Sequence, residues 1–125
     1  MSKSMSKKED KALAQLASSV AAALDDGKAV DIRVLDVRQL TVITDYMIVA
    51  SGRSSRQVRA LAQRIMEVAK AQGASVLGIE GERESEWILV DLGGVIVHLM
   101  QPATREFYQL EKLWEQRQPV SIEAH

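Results

Sequence analysis

Apolar residues first recur at helical spacing at Leu13, Leu16, Ala17, Val20, Ala21 and Leu24. That spacing predicts an amphipathic helix. Ser6-Lys7-Lys8-Glu9 fits a capping box ahead of it, the Ser and Glu side chains satisfying each other's backbone donors. Asp25-Asp26-Gly27 ends the helix, with Gly27 suited to the left-handed position beyond the last turn. From Val30 to Val37 the pattern becomes β-branched and partly alternating, which predicts a strand. Asp36 to Thr41 connects it to a second strand over 45–50. That strand is apolar on both sides after Asp45 and therefore central. Ser51-Gly52-Arg53 turns the chain, and Ser54 and Gln57 form a second capping box. Val58, Leu61, Ala62, Ile65, Val68 and Ala69 then make the inner stripe of a helix closed by Gly73.

The second half reads as strands at 75–81, 86–92 and 95–100. Gly93-Gly94 forms a two-residue hairpin turn in which both glycines can take positive φ. Pro102 opens a last helix with Phe107, Leu110, Leu113 and Trp114 on one side, and Gln118-Pro119 stops it. The predicted order is α-β-β-α-β-β-β-α. It implies an α/β (α+β) fold with one mixed five-stranded sheet and helices packed on it. The expected domain is 9–118, between a mobile tail at 1–8 and a loose tail at 119–125.

The hairpin turn fixes a register that side-chain type can check. Leu92 faces Val95, Val90 faces Val97 and Ile88 faces Leu99, so this face is core. The other face pairs Asp91 with Ile96, Leu89 with His98 and Trp87 with Met100. Burying Asp and His there without partners would cost about 2–7 kcal/mol each. A plain solvent face has no need of Trp, Leu, Ile and Met together. Two readings stand: a second helical layer over hydrogen-bonded polar groups, or an open face that binds a partner protein.

Composition narrows the chemistry. The chain has 125 residues, 46% hydrophobic and 26% charged, which suits one globular domain. It has no cysteine, which excludes a disulfide scaffold, an iron–sulfur site and a thiol nucleophile. The net charge of −1 lacks the basic excess of a chain that wraps nucleic acid, so little or no direct RNA contact is expected. The charge is unevenly placed. Residues 53–70 carry five cations against Glu67, and residues 80–91 carry five carboxylates against Arg83. These are either solvated faces or docking sites for charged partners. The polar start is no secretory signal, and the apolar run Val95-Ile96-Val97 is far too short to span a membrane. A cytoplasmic protein is expected.

Ser51-Gly52-Arg53-Ser54-Ser55-Arg56 runs from a strand into a helix start, where free N–H groups and arginines suit a phosphate. The alternative is a capped helix after a tight turn. Strand, Gly-containing turn, helix and strand are also similar to a nucleotidyltransferase core. Such an enzyme needs a carboxylate pair on the next strand to hold magnesium. Here that strand offers only Glu80, and Asp91 is a lone carboxylate on the strand after it. His98 has no nucleophile beside it in sequence. No catalytic residue, cofactor or metal is expected.

Asp45-Tyr46, then Ser51-Gly52 with Ser54-Ser55-Arg56-Gln57-Val58, resembles one family's signature. Gly78-Ile79-Glu80-Gly81, Trp87 to Gly93 with Val97-His98, and Arg105, Tyr108, Leu110-Glu111 and Leu113-Trp114 follow in family order. The chain resembles the ribosomal silencing factors, the Iojap-like family, over about residues 10–115. The resemblance implies a nucleotidyltransferase-like fold without catalysis, and homodimers are common among such proteins. It implies binding to the large ribosomal subunit through the fourteenth protein of its intersubunit face. Small-subunit joining would be obstructed and translation lowered. Organelle relatives imply a role in large-subunit assembly. The expected contact surface is the mixed hairpin face, Trp87, Leu89, Asp91, Ile96, His98 and Met100, with Glu80 nearby.

Overall fold

The structure is a computed structural model that describes residues 7–115. Its elements are α1 (Lys7–Asp26), β1 (Val30–Asp36), β2 (Tyr46–Ser51), α2 (Ser55–Ala71), β3 (Gly78–Glu80), β4 (Trp87–Asp91), β5 (Val95–Met100), α3 (Pro102–Tyr108) and α4 (Leu110–Glu115). They form the expected mixed five-stranded sheet, in the order β1-β2-β5-β4-β3. β2 runs parallel to β5, and every other neighbouring pair is antiparallel. Helix α1 begins at Lys7, taking in two residues the pattern assigned to the tail. Ser6 and the stop at Gln118-Pro119 lie outside the described residues.

Helices α1 and α2 cover one face of the sheet. Leu16, Val20 and Leu24 of α1 and Val58, Leu61 and Ile65 of α2 meet Ile48, Ile88, Val90, Val97 and Leu99. Burying a Val, Leu or Ile side chain contributes about 1.5–3 kcal/mol, so this layer is the main core. The hairpin has the register read from sequence, Asp91 opposite Ile96 and Ile88 opposite Leu99. Its two glycines differ in role, however. Only Gly93 has positive φ, at +87°. A Cβ on Gly94 would lie 2.4 Å from Leu13 Cδ2, so this glycine admits α1 against the turn.

Gly27 corrects the sequence reading in the same way. The left-handed residue after α1 is Lys28, with φ +66°. Ala29 N–H donates to the Leu24 carbonyl at 2.9 Å and Lys28 N–H to that of Asp25 at 3.0 Å, the two bonds of a Schellman ending. A Cβ on Gly27 would approach Leu61 Cδ2 to 2.7 Å, so Gly27 is there to let the helices close. Gln57 joins the same corner. Its Nε2 donates to the Gly27 and Lys28 carbonyls at 3.2 and 3.1 Å, and its Oε1 accepts from Arg53 N–H at 2.7 Å.

The second face is covered by less. The single last helix expected from the pattern is two short ones, broken at Gln109 with φ +48°. The break separates the expected stripe. Leu110 and Trp114 pack on Val37, Met47 and Val49, while Phe107 and Leu113 face solvent. Arg105 anchors this pair of helices. Its Nε donates to Glu111 Oε2 at 2.9 Å and its Nη1 to Ser51 Oγ at 3.0 Å. Its Nη2 lies 3.5 Å from an oxygen of Asp31, which has φ +52° where the register of β1 shifts.

Arg105→Ala would leave Glu111 buried without its cation, and a loss of about 3–5 kcal/mol is expected. Arg105→Met combined with Glu111→Leu should recover most of it, because an apolar pair leaves no stranded charge. Urea unfolding compares the three proteins. Equal stability of the single variant and the wild type would contradict the anchor.

Candidate partner-binding face

The register puts the sequence-predicted residues on one surface. Trp87 opposes Met100, Leu89 opposes His98, Asp91 opposes Ile96, and Glu80 on the edge strand opposes Leu89. Paired residues of neighbouring strands share a face, so all seven lie on the side away from α1 and α2. Their exposure divides them. Glu80 is exposed, and Trp87, Leu89, Asp91 and Ile96 are half-buried. Met100 has no exposed surface and His98 has only 7%, so neither presents a contact to a partner in this conformation. The reason is position. β5 is an inner strand, α3 starts two residues after Met100, and the Trp87 ring lies beside His98.

The face is therefore half covered, between the two readings of the sequence. Tyr108 closes part of it, with its ring 5.0 Å from that of Trp87. Phe107, 79% exposed, stands edge-on to Tyr108 at 4.9 Å. These two aromatics extend the apolar surface of Trp87, Leu89 and Ile96 and were missed as part of it. A signal did exist: adjacent residues of a helix point about 100° apart, so Phe107 and Tyr108 together make an apolar arc wider than the inner stripe required.

His98 is satisfied from within. Trp87 Nε1–H donates to His98 Nδ1 at 3.0 Å, which places the imidazole proton on Nε2. Burial lowers the His98 pKa to about 4. Asp91 is likewise occupied in part, because its Oδ1 accepts from Gly93 N–H at 2.8 Å and holds the hairpin turn. Thr44 Oγ1 donates to the Gly93 carbonyl at 3.1 Å, and the N–H groups of Asp45 and Tyr46 both reach the Gly94 carbonyl. Asp45-Tyr46 and Asp91 thus frame the turn from both sides.

The start of α2 is a capped helix. Ser54 Oγ accepts from Gln57 N–H at 3.1 Å, and Arg53 N–H is taken by Gln57 Oε1. The acidic loop 81–86 lies against it, bringing together two charge runs that are distant in sequence. Arg59 Nη1 donates to Ser85 Oγ at 3.0 Å, and Ser85 Oγ donates to the Glu82 carbonyl at 2.7 Å. Among the described residues no group of three or more His, Asp or Glu side chains is placed to hold a metal, and no helix is long and apolar enough to cross a membrane.

A family model described as "Ribosomal silencing factor during starvation" matches residues 9–125. The chain belongs to this family of ribosomal silencing factors. It is 50% identical over 91 residues to the Ribosomal silencing factor RsfS of Haemophilus influenzae, covering 73% of this chain and 89% of that protein. It is 38% identical over 90 residues to the mouse "Mitochondrial assembly of ribosomal large subunit protein 1", covering 70% of this chain and 40% of that protein. A crystal structure of a Chromobacterium violaceum protein superposes with a TM-score of 0.81 at 42% identity, over 86% of this chain and 89% of that one. The α+β sheet described above is thus the sheet of a ribosomal silencing factor.

The His98 pocket makes this silencing factor acid-sensitive in a defined window. The unfolded chain protonates His98 near pH 6.5 and the folded chain only near 4. Stability from this group is intact above pH 6.5 and is lost as pH falls from 6.5 to 4, by about 3 kcal/mol in all. Unfolding free energies across this range, compared with His98→Gln, check it. An imidazole that titrates near 6.5 in the folded protein would contradict it.

Proposed function

We propose that this chain represses translation in the cytoplasm by binding the large ribosomal subunit and keeping the small subunit from joining. The contact is with the fourteenth large-subunit protein, on the intersubunit face. The observation that carries the reading is the half-covered sheet face in a chain of the ribosomal silencing family. Trp87, Leu89 and Ile96 supply apolar area, Phe107 and Tyr108 extend it, and Glu80 and Asp91 supply acidic groups. This is an apolar centre with a charged rim, the anatomy of a protein–protein interface. Glu80 and Asp91 suit Arg or Lys on the partner, and the Trp87 indole is the energetic centre, as Trp often is. His98 and Met100 act from beneath, His98 by fixing the indole.

The mechanism needs no bond made or broken. A body of 13.8 kDa held on the joining surface occupies volume that the small subunit requires. An interface burying about 1,200–2,000 Å² is sufficient for a stable complex. Assembly of the large subunit is a second reading, favoured by the printed name of the mouse relative. Both readings use the same docking. A homodimer through this face would compete with it.

Leu89 gives the cleanest test, because it is half-buried and, unlike Trp87, holds no hydrogen-bonded neighbour in place. Leu89→Asp and Glu80→Lys are expected to keep the fold and to weaken co-sedimentation with isolated large subunits. Leu89→Asp should do so by about 30-fold, the scale of an interface hot spot. Folded variants that follow the large subunit at wild-type affinity would reject this face. Loss of self-association with ribosome binding retained would assign the face to a dimer.

A further inference from the structure

We infer that the outward side of α2 is a second contact surface, one that engages the phosphate backbone of large-subunit RNA. The inference rests on the large-subunit docking proposed above and adds a second side to it. Between residues 53 and 64 the chain has four arginines and no carboxylate. All four are exposed, as is Lys70 further along. Arg59 reaches Ser85, while the side chains of Arg53, Arg56, Arg64 and Lys70 form no ion pair or hydrogen bond with any described residue. Three arginines elsewhere among the described residues are paired, Arg38 with Asp36, Arg33 with Asp31 and Arg105 with Glu111, while Arg83 in the acidic loop is not.

The placement also runs against helix stability. The first turn of α2 has no acidic residue, and Arg53, Arg56 and Arg59 sit where the helix dipole is already positive. Solvated helix faces usually interleave opposite charges and put carboxylates at this end. A cationic stripe in which Arg53, Arg56, Arg64 and Lys70 form no ion pair with a described residue, although the acidic loop 81–86 lies beside the start of α2, favours a polyanion. Arginine's planar fork suits phosphate oxygens better than lysine's ammonium. A protein partner is a poorer fit, because the outermost positions between these cations are Ala60, Gln63 and Glu67, with no large apolar centre. Large-subunit RNA is the occupant rather than small-subunit RNA, since attraction to the small subunit would oppose its exclusion. α2 lies on the sheet side opposite Leu89, so the domain would be held between a ribosomal protein and an RNA strand. The earlier expectation of little RNA contact relied on net charge, which averages this stripe with the acidic loop.

The test is co-sedimentation with purified large subunits from about 50 to about 200 mM salt. It compares wild type with the Arg56→Gln/Arg64→Gln and Arg56→Lys/Arg64→Lys pairs, all checked for unchanged folding. The Gln pair should bind about tenfold more weakly at low salt, with a log–log salt slope shallower by about two. The Lys pair should keep the wild-type slope. Wild-type affinity and slope in the Gln pair would overturn the inference while leaving the Leu89 face intact. Wild-type protein that fails to follow large subunits at all would remove the docking reading itself, and this contact with it. Arginine-dependent sedimentation with small subunits instead would also overturn it.

Discussion

A sheet whose inner strands β2 and β5 are largely apolar on both faces has to be covered twice, and the described helices cover it fully only once. Helices α1 and α2 seal one face with 20 and 17 residues. The other face receives two short helices of 7 and 6 residues, held down by Arg105 over the β1–β2 half. What they leave is a half-buried area at β4 and β5 in which apolar and acidic groups alternate. The candidate docking surface is thus a remainder of the packing. Its position is set by where α3 and α4 lie on the sheet rather than by a loop inserted for the purpose.

That remainder is more ordered than an open apolar patch. The Trp87 indole is fixed from below by His98 and from the side by Tyr108, so little side-chain freedom is left to lose on association. Immobilising a free side chain at an interface costs about 0.5–1.5 kcal/mol. Burying an imidazole beneath the indole has its own cost in acid, which links the order of the face to the protonation of one residue.

The hairpin's register was legible in sequence, because its six core residues are all aliphatic and a one-residue slip would have placed Asp91 and His98 inside. The five strands and the first two helices were legible for the same reason, a clear period. Other features were not, the roles of Gly27 and Gly94 among them, because close approach of a neighbouring helix leaves no local pattern. The break at Gln109 has no glycine or proline to mark it, since tertiary packing of Leu110 and Trp114 sets the left-handed residue there. The burial of Met100 and His98 depends on where α3 crosses, which no local pattern encodes. The two opposite charge runs looked like separate poles of the molecule, yet Ser85 brings them side by side through a fold-back that periodicity does not show.

Gln57 ties the turn at the start of α2 to the end of α1: its backbone N–H reaches Ser54 and its side-chain oxygen holds Arg53 within the turn, while its amide nitrogen holds the Gly27 and Lys28 carbonyls. The two bonds to Gly27 and Lys28 link the end of α1 to the start of α2 through one side chain. Opening of the first turn of α2 that moves Gln57 therefore also releases the carbonyls at the end of α1, which couples the local opening of the two helix ends. The cationic side of the domain is, in that sense, as rigid as the corner beneath it.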